Sequence, residues 1–158
     1  KHLTLVHKAN VLKETCGLFR TIGFEVASQY PELQVDEMLV DACAMKMAMD
    51  STGFDVIVTT NLFGDILSDL SAGLIGGPGL APSANVGDGA PLFEPVHGSA
   101  PDIAGQGIAD PRAALLCVEM LLRQLGYVEE ADGLLKSVRA TQHHGNLDAT
   151  KNAVKDRI

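Results

Sequence analysis

Residues 54–60, FDVIVTT, restrict the fold of this chain more than any other segment. After Asp55 they form a continuous run of β-branched residues between two stretches with helical spacing. A strand apolar at consecutive rather than alternate positions is expected to be covered on both faces, and such strands belong to parallel sheets sandwiched by helices. The upstream segments extend the pattern. Residues 3–6 read as a short strand running into polar HKAN, where Asn10 is placed to cap a helix. Val11, Thr15, Leu18, Phe19, Ile22 and Val26 then recur at helical spacing until Pro31 forbids continuation. LQVDEMLV reads as a second strand and DACAMKMAM as a short helix with Asp41 as its cap. Strand alternating with helix predicts an α/β fold.

The helix that follows, NLFGDILSDLSAG at residues 61–73, has two distinct stripes. Asn61, Gly64, Asp65, Ser68, Asp69 and Ala72 make one narrow polar face, and Leu62, Phe63, Ile66, Leu67, Leu70 and Leu74 fill the rest. Asp65 and Asp69 lie one turn apart, about 40° around the axis. Like charges at that spacing cost a helix roughly 0.2–0.5 kcal/mol. No lysine or arginine on the stripe offsets them, whereas a bound cation would reverse the sign. Asp41, Asp65 and Asp69 offer oxygen only, which suits Mg²⁺ or Mn²⁺ better than zinc; helix caps and solvated acids are the other reading. Lys8, at a strand end, is either a general acid or base presented to a cleft or a solvated surface lysine.

From residue 73 to 107 the chain is dense in Gly, Pro, Ala and Ser, with one strand-like insert at 92–97. Long loops in ordered chains are usually functional. Here HGSAPDIAGQGIADP could bring backbone close to a phosphate or sugar, His97 could touch a ligand, and Asp102 could accept ribose hydroxyls. Neither G-x-G-x-x-G nor the Walker A pattern is present. Asp110 reads as N-cap and Pro111 as first residue of a helix RAALLCVEMLLRQL ending at Gly126, followed by a helix over 129–141 and the polar tail HHGNLDATKNAVKDRI.

Charge and composition exclude several classes. A net charge of -8 opposes a nucleic-acid partner, which needs a basic face. No stretch approaches 18 uninterrupted apolar residues and no secretory leader is visible, so no membrane partner is expected. The expected location is cytoplasmic, or the mitochondrial matrix in a eukaryote. Cys16, Cys43 and Cys117 fit neither a disulfide framework nor a zinc pattern and are expected to be reduced, partly buried apolar side chains. The start at Lys1, directly into an alternating segment, suggests a piece of a longer protein.

HKAN, FDVIVTTNLFGDILSDLSAGLIGG, LAPSANVGD and FEPVHGSAPDIAGQGIADP, in that order, closely resemble the β-decarboxylating dehydrogenases, the family of isocitrate, homoisocitrate and 3-isopropylmalate dehydrogenases. The likeness covers nearly the whole chain and matches the C-terminal half of such an enzyme. It implies an isopropylmalate/isocitrate dehydrogenase-like α/β fold, with residues 1–76 in the small, dimer-forming domain and 77–158 in the large cofactor domain. It further implies a homodimer with shared sites, where Asp65 and Asp69 bind Mg²⁺ or Mn²⁺ together with Asp41 of the other subunit. Lys8 matches the catalytic lysine that crosses the interface, Asp41 is counted with it, and Asn10 matches a residue near substrate and nicotinamide. Residues 97–105 match the cofactor loop, so that His97, Gly98, Ser99, Ala100, Asp102 and Ile103 are implied to contact NAD. Asp102 followed by Ile103 resembles the NAD-preferring members; NADP-preferring ones often carry lysine and tyrosine. Asp110 stands where most relatives have an asparagine near the adenine, and it keeps its N-cap role.

The implied reaction is NAD- and Mg²⁺- or Mn²⁺-dependent oxidative decarboxylation of a 2-hydroxy di- or tricarboxylate. His7 before Lys8 resembles the isocitrate and homoisocitrate enzymes, since isopropylmalate enzymes commonly have aspartate there. The alternatives are 3-isopropylmalate dehydrogenase and a regulatory subunit of a heteromeric isocitrate dehydrogenase. The 158 residues alone are expected to be inactive.

Overall fold

A computed structural model describes residues 1–141 and 147–156, and the chain divides into two compact units, residues 1–71 and 72–158. His143 and His144, which carry no functional signal, and part of the polar tail lie outside the described residues.

The first unit is a three-stranded parallel sheet with helices. Its elements are β1 (His2–His7), α1 (Thr15–Ala27), β2 (Gln34–Leu39), α2 (Val40–Met49), β3 (Val56–Thr59) and the start of α3 (Asn61–Leu74). The strand order is β2-β1-β3, so β1 is central, and Thr4, Leu5, Val6 and His7 are all buried. The FDVIVTT segment corrects the sequence expectation. β3 is an edge strand, with Val56 and Val58 exposed, and among the described residues no strand pairs with its outer edge. Apolar composition reports what a strand can bury, and position in the sheet decides what it does bury.

Period-two alternation sends β1 side chains to two different layers. Val6 faces a core of Cys43, Met47 and Leu67, supported by Met38, Ile57 and Leu70, which fastens α2 and α3 to one face. Leu5 faces α1, and a Cβ on Gly23 would stand 2.8 Å from its Cδ1, so the glycine is what lets helix and strand approach. Beside this contact lies an apolar cleft of about 550 Å³ lined by Leu3, Leu5, Ile22, Val26, Val35 and Val58, among others.

Two helix starts differ from the spacing argument. α1 begins at Thr15, not after Asn10, because the Val11 and Leu12 amides both donate to the Lys8 carbonyl (3.0 and 2.8 Å) and close a separate turn first. Asn10 is therefore no cap. α2 begins at Val40 with Leu39 in the cap position, which places Asp41 inside the first turn, still favourably set against the helix dipole.

The second unit holds β4 (Pro82–Asn85) and β5 (Leu92–Pro95), paired antiparallel, then α4 (Arg112–Gln124), α5 (Val128–Ala140) and α6 (Leu147–Lys155). β4 is hidden in the sequence by its PSAN composition, and α6 by its polar residues. Val154 packs against Leu134 and Val138 of α5, and Thr150 is fully buried, so α6 is held by these two residues. α4 starts one residue later than expected, yet Asp110 still accepts from the Arg112 amide at 3.0 Å. It ends in a Schellman turn, with Gly126 at φ 89° donating to Arg123 and Tyr127 donating to Leu122. All three cysteines are free and buried, as expected. Among the described residues no helix is long and apolar enough to cross a membrane.

Candidate active site at the carboxyl ends of the strands

Because β1, β2 and β3 are parallel and adjacent, their carboxyl ends open on one edge, where ligands of open α/β sheets bind. Lys8 follows β1 directly, and Asp41 opens α2 at the end of β2. Their side chains meet, with Lys8 Nζ donating to Asp41 Oδ1 at 2.5 Å. Lys8 is mostly covered while Asp41 is exposed, so the pair sits at a surface with the amine on its inner side. The Lys8 hydrogen bond, assisted by first-turn backbone N–H groups, holds the Asp41 carboxyl below the usual carboxylate range. Lys8 is thus an aimed ammonium with one N–H donor fixed and two unassigned.

Asp65 and Asp69 are exposed on α3, and neither has a cationic partner among the described residues. Their donor chemistry, four carboxylate oxygens on one helical face, fits a hard cation such as Mg²⁺ or Mn²⁺. Asp41 does not join them: among the described residues no three His, Cys, Asp or Glu side chains stand close enough to hold an ion. One copy of the chain therefore presents Lys8 with Asp41 and, separately, Asp65 with Asp69.

Within the second unit, the 97–105 loop is exposed and tightly shaped. The His97 Nδ1–H donates to the Gly98 carbonyl at 2.9 Å, which leaves Nε2 as acceptor. Ala100 is left-handed (φ 43°, ψ 62°), a conformation costly for any residue but glycine, and it precedes a short 3-10 turn at Pro101–Ile103 that presents Asp102. Gln106 Nε2 ties that turn by donating to the Asp102 carbonyl at 2.7 Å. Gly98 and Ser99 lead into Ala100 and Ile103 closes the turn, so the loop residues named from sequence are contiguous in space. Asp110 is engaged otherwise. Its carboxylate accepts from Arg112 Nε at 3.0 Å and Nη2 at 2.7 Å, and Arg112 Nη1 donates onward to the Thr141 carbonyl. Asn10 lies exposed in the turn after Lys8.

His7 was named in the sequence only for standing before Lys8, and its partners Glu37 and Arg20 were not foreseen. His7, buried and pointing to the α1 side of the sheet, pairs through Nε2 with Glu37 Oε2 at 2.9 Å, and Glu37 pairs with Arg20 of α1 (Nη2 to Oε1, 2.6 Å). The Arg20 hydrogen bonds, with His7 assisting against partial burial, bring the Glu37 carboxyl down to about 2. Arg20 also lies 5.5 Å from the Phe24 ring centroid. The register that pairs Leu5 with Glu37 creates this cluster, and sequence spacing does not reveal it.

A parallel α/β unit with a lysine–aspartate pair at its strand ends, followed by a helix bearing two uncompensated aspartates, places the chain in the class of α/β proteins that bind ligands at the carboxyl edge of a parallel sheet. The family model described as isocitrate/isopropylmalate dehydrogenase matches residues 1–155, and the chain belongs to that family. It is 58% identical over 145 residues to the 3-isopropylmalate dehydrogenase of Archaeoglobus fulgidus, covering 92% of this chain and 44% of that protein. It is 56% identical to the isocitrate/homoisocitrate dehydrogenase of Thermus thermophilus, covering 100% of this chain and 49% of that one. The crystal structure of isocitrate dehydrogenase from Methylococcus capsulatus superposes with TM-score 0.91 at 48% identity, over 99% of this chain and 50% of that chain. The chain thus spans about half the length of the relatives it matches, and the fold is the corresponding portion of theirs.

Proposed function

We propose that the protein containing this chain is an NAD- and Mg²⁺- or Mn²⁺-dependent dehydrogenase. It would oxidise a 2-hydroxy acid bearing a β-carboxylate to the 2-keto acid, passing hydride to NAD⁺ and releasing CO₂. Isocitrate or homoisocitrate is the leading substrate and 3-isopropylmalate the alternative. Relatives with all three names stand at comparable identity, so the His7 signature, not overall likeness, favours the first two.

The observation that carries the reading is the pairing of an aimed Lys8 with Asp41 while Asp65 and Asp69 stand uncompensated on α3. Asp65 and Asp69 of one copy would hold the cation, with Asp41 of a second copy and the substrate completing its oxygen shell. When bound, that cation supplies Lewis-acid polarisation and charge stabilisation. The chain's own groups do the rest. Lys8, held by Asp41, is set to move a proton at the reacting oxygen or carbon, a role that needs fixed geometry before it needs a tuned pKa. Asp102 accepts the adenosine ribose hydroxyls, and a 2′-phosphate would meet its charge, which favours NAD over NADP. Backbone at Gly98, Ser99 and Ala100, with the His97 Nε2 acceptor, lines the cofactor path.

The test is NADH formation by the full natural polypeptide with isocitrate, homoisocitrate and 3-isopropylmalate in turn, with Mg²⁺ and with EDTA. Asp69→Asn is expected to abolish metal-dependent turnover. Near-normal activity in that variant sinks the metal assignment, and no turnover of any substrate by a folded protein favours the regulatory-subunit reading.

A further inference from the structure

His7 lies immediately before Lys8, yet it faces the opposite layer of the sheet, so it does not share the substrate edge with its neighbour. Its ring is fixed at both nitrogens. Glu37 can only accept, so Nε2 carries the hydrogen of that 2.9 Å bond. The Ala9 amide donates to Nδ1 at 3.2 Å, so Nδ1 carries none. Glu37 is in turn gripped by Arg20 from α1. The neighbouring backbone is tied as well: Thr59 Oγ1 donates to the Val6 carbonyl at 2.8 Å, and the Lys8 carbonyl receives the Val11 and Leu12 amides. The Lys8 main chain is therefore held on both sides, by Thr59 before it and by His7 after it, where His7 bridges the Ala9 amide to β2 and α1.

We propose that His7, with Glu37 and Arg20 behind it, is a positioning residue that fixes the turn at Ala9 and thereby aims the Lys8 ammonium. This rests on the reading of Lys8 as the group that moves the proton. Histidine in this place acts from behind the site, through the backbone, without touching substrate. Protonation at Nδ1 would set two N–H groups against each other and release Ala9, so the clamp requires the Nε2–H tautomer.

The geometry separates the two halves of the clamp. In His7→Asn the side-chain oxygen takes the place of Nδ1, so Ala9 keeps an acceptor while Glu37 is out of reach. In His7→Gln the amide reaches Glu37, and Ala9 loses its acceptor. Steady-state kinetics of the full natural polypeptide are expected to show kcat lowered about tenfold in His7→Gln, as for a misplaced catalytic group. KM for hydroxy acid and cofactor should be little changed, and His7→Asn, which keeps the Ala9 acceptor but not the Glu37 brace, should recover part of kcat. If turnover requires Lys8, judged by its loss in Lys8→Met, but His7→Gln leaves kcat as it was, this inference is overturned alone. If turnover survives Lys8→Met, the reading of Lys8 fails and the inference with it. A second measurement stands apart from activity and from mutant folding. Nitrogen-15 spectra of the wild-type imidazole should show Nε2 protonated and Nδ1 bare; a protonated Nδ1 overturns the clamp.

Discussion

The Glu37 carboxylate makes a quantitative prediction about acid stability. Its carboxyl falls from an ordinary 4.5 to about 2 in the folded chain, chiefly through Arg20. A depressed folded value means that the carboxylate contributes its full stability above the unfolded value of 4.5 and loses it as pH falls toward 2. At about 1.4 kcal/mol per pH unit this drop is worth roughly 3.5 kcal/mol before screening. The Glu37 side chain is 34% exposed and its Arg20 partner more so, and solvent screening reduces the figure to about 0.5–1 kcal/mol. Glu37→Gln is the perturbation, since the amide keeps the shape and an acceptor for His7 but does not titrate in this range. Urea unfolding at a series of pH values, with hydrogen exchange of the β1 amides to report this unit, should show the variant less stable by that amount at neutral pH. The gap should close between pH 4.5 and 2. A gap that does not depend on pH, or no gap at neutral pH, refutes the argument that Arg20 and His7 hold this carboxylate ionised.

Two backbone substitutions have opposite expected signs. Ala100→Gly relieves a left-handed alanine of about 1–2 kcal/mol of strain while adding about 0.5–1 kcal/mol of chain entropy, so stability should be equal or slightly higher. The same change loosens the loop before Asp102, and KM for NAD should rise severalfold in the full polypeptide; an unchanged KM removes the shaped loop from the binding argument. Gly126→Ala puts a Cβ at φ 89° in the turn that ends α4 and should lower stability by about 1 kcal/mol, read as a shift in the urea midpoint.

How much of this was legible in the sequence depended on the range of the forces involved. Local rules found the strand at residues 3–6, the whole of α3 and the Gly126 stop, because periodicity and turn chemistry act within one element. They misplaced the start of α1. Val11 fits the helical stripe but is exposed, and the double bond to the Lys8 carbonyl settled the backbone there instead. They also took FDVIVTT for a covered strand, because sheet order is a long-range property. The candidate site divided in the same way. Asp65 and Asp69 could be paired by helical geometry alone, and Lys8 and Asp41 were raised by their residue types at element ends with the resemblance favouring the functional reading; their contact across 33 residues and the His7–Glu37–Arg20 cluster needed the parallel register of β1 with β2.

That register also explains why one copy does not gather the three aspartates proposed to hold the cation. Lys8 and Asp41 sit at the strand ends, whereas α3 departs from the end of β3 at Asn61. At 1.5 Å per residue, Asp65 lies about 6 Å and Asp69 about 12 Å along that helix. A hard cation needs its oxygens within about 2–2.5 Å, so Asp69 and Asp41 of the same copy belong to different sites. If the working site joins Lys8 and Asp41 of one copy to Asp65 and Asp69 of another, two dead variants should rescue each other. In a mixed dimer of Lys8→Met and Asp69→Asn chains, one site carries both defects and the other carries neither. Random mixing at equal amounts makes about half the dimers mixed, and activity should return to about a quarter of wild type. If each site were built within one chain, every site would carry one defect and the mixture would stay as inactive as its parents. Coexpression with two affinity tags, followed by isolation of the doubly tagged dimer, decides between the two outcomes.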